Sequence, residues 1–279
     1  MIELHCHTQC SDGSLSPGEL LVHAHRLGVR YLSVTDHDTM SSYDKLKDLA
    51  KHYKIQLIPG IEISAEHRPS GEKVHILGYY LDMNSQFLQK VCRDMTKRRE
   101  EATRDMLSKV AGLGYRIGPE EVAPFCMHST NLYKVHIMHA LFHGGYSQKI
   151  KDVSLYKELF PPGGKAFVPL EYIPVEEAIS AVRNGGGVAV LAHPGVHKNH
   201  HLFPYLLELG IQGIEAYHPG NSPQDTAWCL QKAKKYGLVI TGGSDFHGLY
   251  GDFSHLLGSL NPGNDTVMAL SRKAGVDSQ

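Results

Sequence analysis

The chain has 279 residues, of which 42% are hydrophobic, and its formal net charge is −1. A chain of this length can bury a large core and leaves room for a lobe beside one catalytic body. The near-neutral charge argues against a broad basic surface for long nucleic-acid duplexes. No apolar run approaches the ~20 residues of a membrane span. The five cysteines form no CxxC pair and the N-terminus has no signal-like segment, so we expect a reduced, cytoplasmic setting without membrane attachment.

Short β-prone runs and helix signals alternate through residues 1–82. The β-prone runs cover 2–4, 31–34, 56–60 and 72–81. Ser16, Pro17 and Glu19 form a capping pattern that predicts a helix, and Gly28 ends it. A second helix is predicted over 41–53. This order predicts strands and helices that follow one another in turn.

The segment from 83 to 172 breaks this alternation and is predicted to be an inserted helical lobe. Its helices are predicted over 85–113, 119–125, 133–143 and 147–160. The charged stretch 97–101 is interpreted as a solvated helix face. His136, His139 and His143 recur at helical spacing, which favours a packing face over a substrate-facing surface. Lobes of this kind close active sites and select substrates.

The alternation resumes after the lobe and continues to the end of the chain. Helices are predicted over 175–183, 224–236 and 264–273, and strands over 188–191, 213–216 and 238–241. The whole chain is therefore predicted to have an α/β fold.

Residue types that bind metals follow the predicted strands in short packets. They are His5-Cys6-His7, Asp12, Asp36-His37-Asp38, Glu62, His75, Ala192-His193-Pro194 and Ser244-Asp245-Phe246-His247. In α/β barrels the carboxyl ends of different strands converge on one mouth, which would bring these packets together. His5 and His7 alternate on a strand and so share one face, whereas Cys6 faces the other way and is interpreted as a buried apolar residue. Imidazoles and carboxylates suit zinc, manganese and iron, so the packets predict a multinuclear metal site.

The four packets HCH, TDHD, AHP and GSDFH resemble the motifs of the PHP (polymerase and histidinol phosphatase) family of metal-dependent phosphoesterases. The resemblance implies a distorted (β/α)7 TIM-like barrel formed by residues 1–82 and 173–279. The helical lobe 83–172 would then cover the active site. Within the family, the chain is similar to stand-alone members that hydrolyse nucleoside 3',5'-bisphosphates or trim short oligonucleotides.

The resemblance also implies two or three divalent ions, of manganese, zinc or iron, and their ligands. The first ion would be bound by His5, His7, Glu62 and Asp245, the second by Glu62, His75 and His193, and the third by Asp12, His37 and His247. Asp36 and Asp38 are interpreted as groups that orient ligands or hold the turn. In the lobe, Lys134 and Lys165 match positions whose cations hold a second substrate phosphate, and relatives more often carry arginine at the first of them.

A charge count connects such a site with phosphate chemistry. Three divalent ions, less Asp12, Glu62, Asp245 and one bridging hydroxide, leave a charge of about plus two, which a phosphate monoester dianion would neutralise. The expected reaction is attack on phosphorus by the hydroxide that bridges two ions, with Asp245 as a catalytic ligand. His218 is the candidate acid and a candidate substrate contact. Two alternatives remain open, namely a metal-bound water as the acid and His218 as a plain turn residue beside Pro219.

Three functions are compatible with these residues. The first is a phosphoesterase that acts on a small phosphorylated, nucleotide-like molecule or on short oligonucleotide ends. The others are a metal-dependent amidohydrolase that cleaves a carbon–nitrogen bond and a non-catalytic nucleotide-binding module. The complete set of nine metal-type residues and the lobe lysines favour the phosphoesterase.

Overall fold

Strands and helices alternate through most of the chain, and the computed structural model describes residues 1–251 and 255–276. The strands are β1 (Ile2–Glu3), β2 (Tyr31–Leu32), β3 (Gln56–Leu57), β4 (Gly60–His67), β5 (Glu72–Tyr79), β6 (Ile173–Pro174), β7 (Val188–Leu191), β8 (Gly213–Tyr217) and β9 (Val239–Gly242). The helices are α1 (Pro17–Arg26), α2 (Ser41–His52), α3 (Gln86–Gly112), α4 (Pro119–Cys126), α5 (Lys134–His143), α6 (Val153–Leu159), α7 (Val175–Asn184), α8 (Pro194–His197), α9 (Phe203–Glu208), α10 (Pro223–Tyr236) and α11 (Asp265–Ala274). The predicted α/β fold is confirmed. None of the described helices is both long and apolar enough to cross a membrane.

The strands form two sheets. One is parallel, in the order β1-β2-β3, and the other has the order β6-β4-β5-β7-β8-β9. In the larger sheet β5 runs antiparallel to both β4 and β7, whereas the remaining pairs are parallel. Two isolated parallel bridges, Cys6 with Phe246 and His37 with Glu62, join the two sheets. The segment after β1 is therefore held beside the segment after β9, and the segment after β2 beside β4.

Glu62 lies inside a strand, and the prediction that it follows one was wrong. The run 56–60 divides into β3, which ends at Leu57, and β4, which begins at Gly60. Pro59 has no backbone N–H to donate to a ladder, so the strand breaks there and restarts. In the β4–β5 hairpin Ser64 pairs with His75, which puts Glu62 and His75 on the same face of the sheet.

Both faces of the larger sheet are buried. In β5, Leu77 and Tyr79 belong to an apolar cluster that also contains side chains of β1, β7, β9 and α11. The alternate residues Val74 and Ile76 lie in a second cluster with α3 and α7. Strands buried on two faces hold their register firmly, because a slip of one residue would exchange the two faces.

Helix α3 belongs to two apolar cores. Leu88 and Val91 in its first half pack in the core of the larger sheet with α7. Met106 and Val110 in its second half pack in a separate core formed with α4, α5 and α6. The predicted boundary at 82/83 stays a prediction, and the packing divides α3 between the two regions.

The capping pattern of the first helix is confirmed, whereas one lobe helix is shorter than predicted. The Glu19 N–H donates to Ser16 Oγ, and the Ser16 N–H donates to Glu19 Oε2 at 2.8 Å. The helix predicted over 147–160 begins only at Val153. Asp152 caps it by accepting from the Leu155 N–H, and Ser147 donates its hydroxyl to Asp152, so this stretch is a turn.

Candidate metal centre

The nine residues predicted as metal ligands lie in one continuous cluster, in overlapping groups whose ligand atoms stand within 4.8 Å of one another. The members are His5, His7, Asp12, His37, Glu62, His75, His193, Asp245 and His247. Residues more than two hundred positions apart meet because the ends of β1, β7 and β9 and the middle of β4 converge on one side of the sheets.

Glu62 lies at the centre of the cluster and is only 1% exposed. Its Oε1 is 2.8 Å from His75 Nδ1 and 2.9 Å from His193 Nε2. Its Oε2 faces three further imidazole nitrogens, namely His5 Nε2 at 3.2 Å, His7 Nε2 at 3.3 Å and His37 Nδ1 at 3.2 Å. Each oxygen thus has its own set of imidazoles, as a carboxylate between two ions requires.

A second carboxylate group forms around Asp12. Its Oδ1 is 3.5 Å from His247 Nε2 and 3.7 Å from His7 Nδ1, and its Oδ2 is 3.8 Å from His37 Nε2. His247 donates its Nδ1–H to the backbone oxygen of Asp245 at 2.8 Å, which leaves Nε2 unprotonated and directed at Asp12. His7 and His37 each direct one nitrogen at Asp12 and the other at Glu62.

These spacings fit metal ions. An ion about 2.0–2.2 Å from two ligand atoms holds them roughly 2.8–4.4 Å apart, depending on the angle between the bonds. The pairs around Glu62 and Asp12 span 2.8 to 3.8 Å. Both ring nitrogens of His7, Nδ1 of His37 and Oδ1 of Asp12 are buried without a hydrogen bond of ordinary geometry to the described residues. Buried polar atoms rarely lack a partner, so this donor set suits cations.

The pKa shifts in the cluster also indicate that its carboxylates attract positive charge. Burial raises the pKa of Glu62, but the charges of His37, His5 and His75 outweigh it and hold that pKa well below the ordinary value. Burial lowers the pKa of His7, yet its carboxylate neighbours Asp245 and Glu62 raise it to about 10. His7 would therefore hold a proton beside the carboxylates, and a metal ion would displace it.

The turns that present Asp245 and His193 have strained backbones. Asp245 has φ 51° and His193 has φ 22°, in the left-handed region that side chains other than glycine seldom adopt. The Asp245 N–H donates to the His5 backbone oxygen at 2.8 Å. A Cβ on the preceding Gly243 would overlap His5, so only glycine permits this close approach. Such strain is typical of turns that hold functional groups.

Glu215 in β8 orients two of the ligands and was not predicted from the sequence. Its Oε1 accepts the Nδ1–H of His5 at 2.9 Å, and its Oε2 accepts the N–H of His193 at 2.9 Å. Burial alone would raise the pKa of Glu215. The charges of His5 and His218 outweigh burial and lower that pKa below its ordinary value, so the carboxylate stays ionised. The acceptor at Nδ1 directs His5 Nε2 to Glu62. An acidic residue in the apolar run Gly213–Tyr217 was the available signal.

Glu3 in β1 holds the turn that carries Asp245 and was also missed. It is fully buried and accepts from the Ser244 hydroxyl at 2.6 Å and from the N–H groups of Ser244, His5 and Gly258. Burial raises its pKa despite these hydrogen bonds. Glu3 therefore ties β1 to the turn after β9.

Asp36 and Asp38 hold the turns around His37, as predicted. Asp36 accepts from the Thr8 N–H and hydroxyl and from the Ser11 hydroxyl, at 2.7 to 2.8 Å. Asp38 accepts from the Ser64 N–H at 2.8 Å. Both carboxylates are fully buried. Cys6, as predicted, is buried and packs in an apolar cluster with α1 and α2.

His218 lies beside the metal-type residues, as predicted, and is 5% exposed. Its Nδ1 accepts from the Gly220 N–H at 2.9 Å, so the ring proton lies on Nε2. Nε2 is 3.3 Å from Asp245 Oδ2. The Nε2–H group of His218 therefore lies next to Asp245, the candidate catalytic ligand. The role of His218 as general acid stays a prediction.

Arg99 contradicts the interpretation of residues 97–101 as a solvated face. Its side chain is only 11% exposed and donates to Asp38 Oδ2 at 2.6 Å and to Ser64 Oγ at 2.9 Å. The guanidinium also lies 4.7 Å from the centre of the Tyr133 ring. The sequence of α3 does not reveal this burial, because it depends on how α3 lies against β4.

Two lobe lysines differ in position. Lys134, at the start of α5, is partly buried, and burial together with the charges of Lys73 and Arg99 lowers its pKa to about 8. Three cations therefore converge there. Lys165 is 60% exposed and donates to Glu158 at 2.6 Å, so it has a partner within the lobe, and its role in substrate binding stays a prediction.

Two of the three α5 histidines, His136 and His139, pack as predicted, whereas His143 is exposed. His136 is buried and accepts from the Tyr133 N–H at 3.1 Å. His139 stacks on Phe125 with ring centres 3.9 Å apart, and its Nδ1 is 2.8 Å from Tyr250 Oη. These contacts join the lobe to the 3-10 turn that follows His247.

Comparison with known proteins places the chain in a family. The PHP domain model matches residues 3–166. The chain is 37% identical to the phosphoribosyl 1,2-cyclic phosphate 1,2-diphosphodiesterase of Eggerthella lenta, over 92% of this chain and 98% of the relative. It is 27% identical to the 3',5'-nucleoside bisphosphate phosphatase of Chromobacterium violaceum, over 88% of this chain and 87% of the relative.

A solved structure agrees with the fold. A crystal structure of a proposed metal-dependent phosphoesterase from Bifidobacterium adolescentis has a TM-score of 0.90 and 26% identity, and the match covers 99% of this chain and 96% of the other. The predicted resemblance and the preference for a phosphoesterase over an amidohydrolase or a binding module are confirmed. The chain belongs to the PHP domain family and is a phosphoric ester hydrolase.

Proposed function

We propose that the enzyme hydrolyses a phosphate monoester of a small nucleotide-like substrate that carries a second phosphate, such as a nucleoside 3',5'-bisphosphate, or the phosphorylated end of a short oligonucleotide. The observation that carries the proposal is a pair of neighbouring anion-binding regions. One is the metal centre around Glu62, and the other is the convergence of Lys134, Arg99 and Lys73 beside it. A substrate with two phosphates would occupy both.

Two or three divalent ions would be bound by the clustered side chains. His5, His7, Glu62 and Asp245 would hold the first, Glu62, His75 and His193 the second, and Asp12, His37 and His247 the third. When bound, manganese, zinc or iron would lower the pKa of a water molecule towards ~7 and so supply the nucleophile. Imidazole and carboxylate ligands suit all three metals.

The barrel and lobe arrangement supports an enclosed site. The order of the strands, with the bridges Cys6–Phe246 and His37–Glu62, would close β1, β2, β4, β5, β7, β8 and β9 into a distorted seven-stranded barrel. The cluster that contains Ile2, Leu77, Val190 and Val239 would fill its interior. Residues 83–172 would cover the mouth, since Tyr133 Oη donates to the His37 backbone oxygen at 3.1 Å.

The residues around the reacting phosphate have separate tasks. Asp245 would position the ligand sphere through Oδ1, which lies 3.1 Å from His7 Nε2. His218 holds its proton on Nε2, near the same carboxylate, and would donate a hydrogen bond from it to the leaving oxygen, which stabilises the charge that develops there. The Gly220 N–H keeps the ring in that tautomer. The pair would therefore combine a metal ligand with a hydrogen-bond donor.

The second phosphate would be held by Lys134 and Arg99. Like charges repel when buried together, and among the described residues Asp38 is the one carboxylate that pairs with Arg99. An anion beside Lys134 would relieve the repulsion from Arg99 and Lys73. A lysine gives a point charge rather than a planar grip, so we expect it to accept phosphates in more than one orientation.

The test is phosphate release by the purified enzyme with manganese, zinc or iron. Nucleoside 3',5'-bisphosphates and 5'-phosphorylated dinucleotides should release phosphate, and Asp245→Asn should abolish the reaction. Lys134→Ala should raise KM for doubly phosphorylated substrates by about tenfold or more, the loss expected for one charged contact, and that for single phosphates much less. Lys97→Ala, an exposed lysine on α3, is the matched control. Failure to cleave any phosphate ester would contradict the proposal.

A second candidate is a phosphorylated ribose with a cyclic phosphate. The identity of 37% to the Eggerthella lenta diphosphodiesterase favours it, and that substrate also carries two phosphate groups. Comparing kcat/KM for the cyclic ribose phosphate and for nucleoside 3',5'-bisphosphates would decide between the two. A kcat/KM about a hundredfold higher for the cyclic ribose phosphate, which carries no base, would identify the cyclic phosphodiester as the preferred substrate.

A further inference from the structure

A third histidine lies at the second metal position and is outside the nine predicted ligands. His197 ends α8, four residues after His193, so both side chains project from one helical turn. The ligand atoms of His75, His193 and His197 stand within 4.8 Å of one another. His193 and His197 are close in space because they belong to the same short turn of the backbone.

The His197 ring is enclosed by the other two imidazoles and has a buried nitrogen without a partner. Its centre is 4.6 Å from that of His75 and 5.1 Å from that of His193, with both rings nearly edge-on to it. Its Nε2 is buried and makes no hydrogen bond to the described residues. A buried polar nitrogen of this kind is rarely left unpaired in a folded protein.

The other nitrogens at this position are already directed at Glu62. His75 Nδ1 and His193 Nε2 both face Oε1 of the carboxylate, at 2.8 and 2.9 Å. An ion placed among these atoms would have two imidazoles and one carboxylate oxygen from the proposed ligand set. The group formed by His75, His193 and His197 does not itself include Glu62. His197 would therefore add its imidazole to the two histidines of this position.

We propose that His197 is a further protein ligand of the second ion, joining the imidazoles of His75 and His193. Three histidine ligands suit zinc better than manganese, because manganese prefers oxygen ligands. His197 therefore makes the second position selective for zinc, while the third position, with Asp12, stays less selective. This inference rests on the proposed metal loading of the site.

A cysteine substitution tests whether position 197 lies within the coordination sphere. The full-length protein is stripped with a chelator and refilled with Co²⁺, and its absorption spectrum is recorded. In His197→Cys we expect a new cobalt–thiolate charge-transfer band in the near ultraviolet, which a residue outside the coordination sphere cannot produce. His201→Cys is the matched control, because His201 is exposed and its Nε2 lies 3.0 Å from Glu72. No band in His197→Cys, with a spectrum equal to that of the control, would overturn the proposal.

Zinc affinity gives a second readout. His197→Ala and His197→Gln should release one zinc ion to a competing chelator at least about tenfold more readily than the wild type, with little change in manganese affinity. Circular dichroism identifies a variant that fails to fold, and the glutamine variant preserves the volume of the side chain. Unchanged zinc release in both folded variants would also overturn the proposal, and a change in KM alone would assign His197 to the substrate. Neither readout requires turnover, so an error in the proposed substrate would not affect them.

Discussion

The two oxygens of Glu62 divide five imidazoles into two sets, and no other described side chain of the cluster contacts as many. His75 and His193 face one oxygen, while three further histidines face the other. A carboxylate is the side chain that can present two equivalent acceptors in this way. The site therefore depends on a residue inside a strand, and His75 likewise lies inside β5, whereas the other candidate ligands lie in segments that follow strands.

The perturbed pKa of Lys134 predicts a pH dependence for the second phosphate site. Burial, then the charges of Lys73 and Arg99, lower that pKa to about 8, so the ammonium is charged below this pH and neutral above it. We expect kcat/KM for doubly phosphorylated substrates to fall as the pH rises through about 8, because this parameter reports the free enzyme. In Lys134→Arg the decline should disappear, since arginine stays protonated. A decline that persists in the arginine variant would assign the titration to another group.

The sequence packets, together with the family resemblance, were sufficient to predict which nine residues cluster, but the residues that support them were not predicted. A histidine or an aspartate directly after a strand is visible in the sequence, because the strand end fixes where it lies. Glu215 and Glu3 lie inside strands, and their roles depend on which residues stand across the sheet. His197 was missed because one helical turn, rather than a strand, brings it to His193.

At the scale of elements, a buried ion pair joins α3 to the turn that carries His37. Arg99 and Asp38 are 11% and 0% exposed, and their charged atoms are 2.6 Å apart. The pair fixes the rotation of α3 against the turn that carries His37. Caps and apolar spacing predicted most helices, although α6 begins later than expected and α8 and α9 were not predicted. The rotation of α3 was not predictable, because many apolar positions around it are buried, in two different cores.

Removal of Arg99 should destabilise the fold. In Arg99→Met the buried carboxylate of Asp38 would lose its charged partner, which costs about 3–5 kcal/mol of the free energy of unfolding. The matched control is Arg104→Met on the same helix, whose ion pair with Glu100 is 72% and 47% exposed and should change stability by less than about 1 kcal/mol. Chemical denaturation measures both. Equal losses for the two variants would show that the Arg99 pair contributes no more than a surface contact.

For the whole molecule, the metal centre lies where both sheets and the lobe meet. Its ligands come from β4 and β5 and from the segments after β1, β2, β7 and β9. Ions bound there would tie together segments distant in sequence. The strand order of the larger sheet was not predictable, because the antiparallel placement of β5 between β4 and β7 departs from a regular β/α repeat.

Metal removal should therefore lower the stability of the whole chain. An ion that binds only the folded state adds about 2.7 kcal/mol when its free concentration is a hundred times its Kd. We expect Tm to fall after chelation and to rise with added zinc or manganese in a concentration-dependent way. Calorimetry of stripped and refilled protein measures this, and His201→Ala, outside the cluster, should keep the full response. A Tm independent of metal concentration would contradict the proposed loading.

The continuity of α3 has a mechanical consequence for the lobe. Its 27 residues contain no proline, and its glycine stands at the final position, Gly112, so the helix has no site at which it kinks readily. One end is embedded in the core of the larger sheet and the other in the lobe. The lobe is thus attached to the larger sheet through one unbroken helix, and we expect it to keep a fixed position. We therefore expect the enzyme to favour substrates that are small or slender enough to enter beside the lobe.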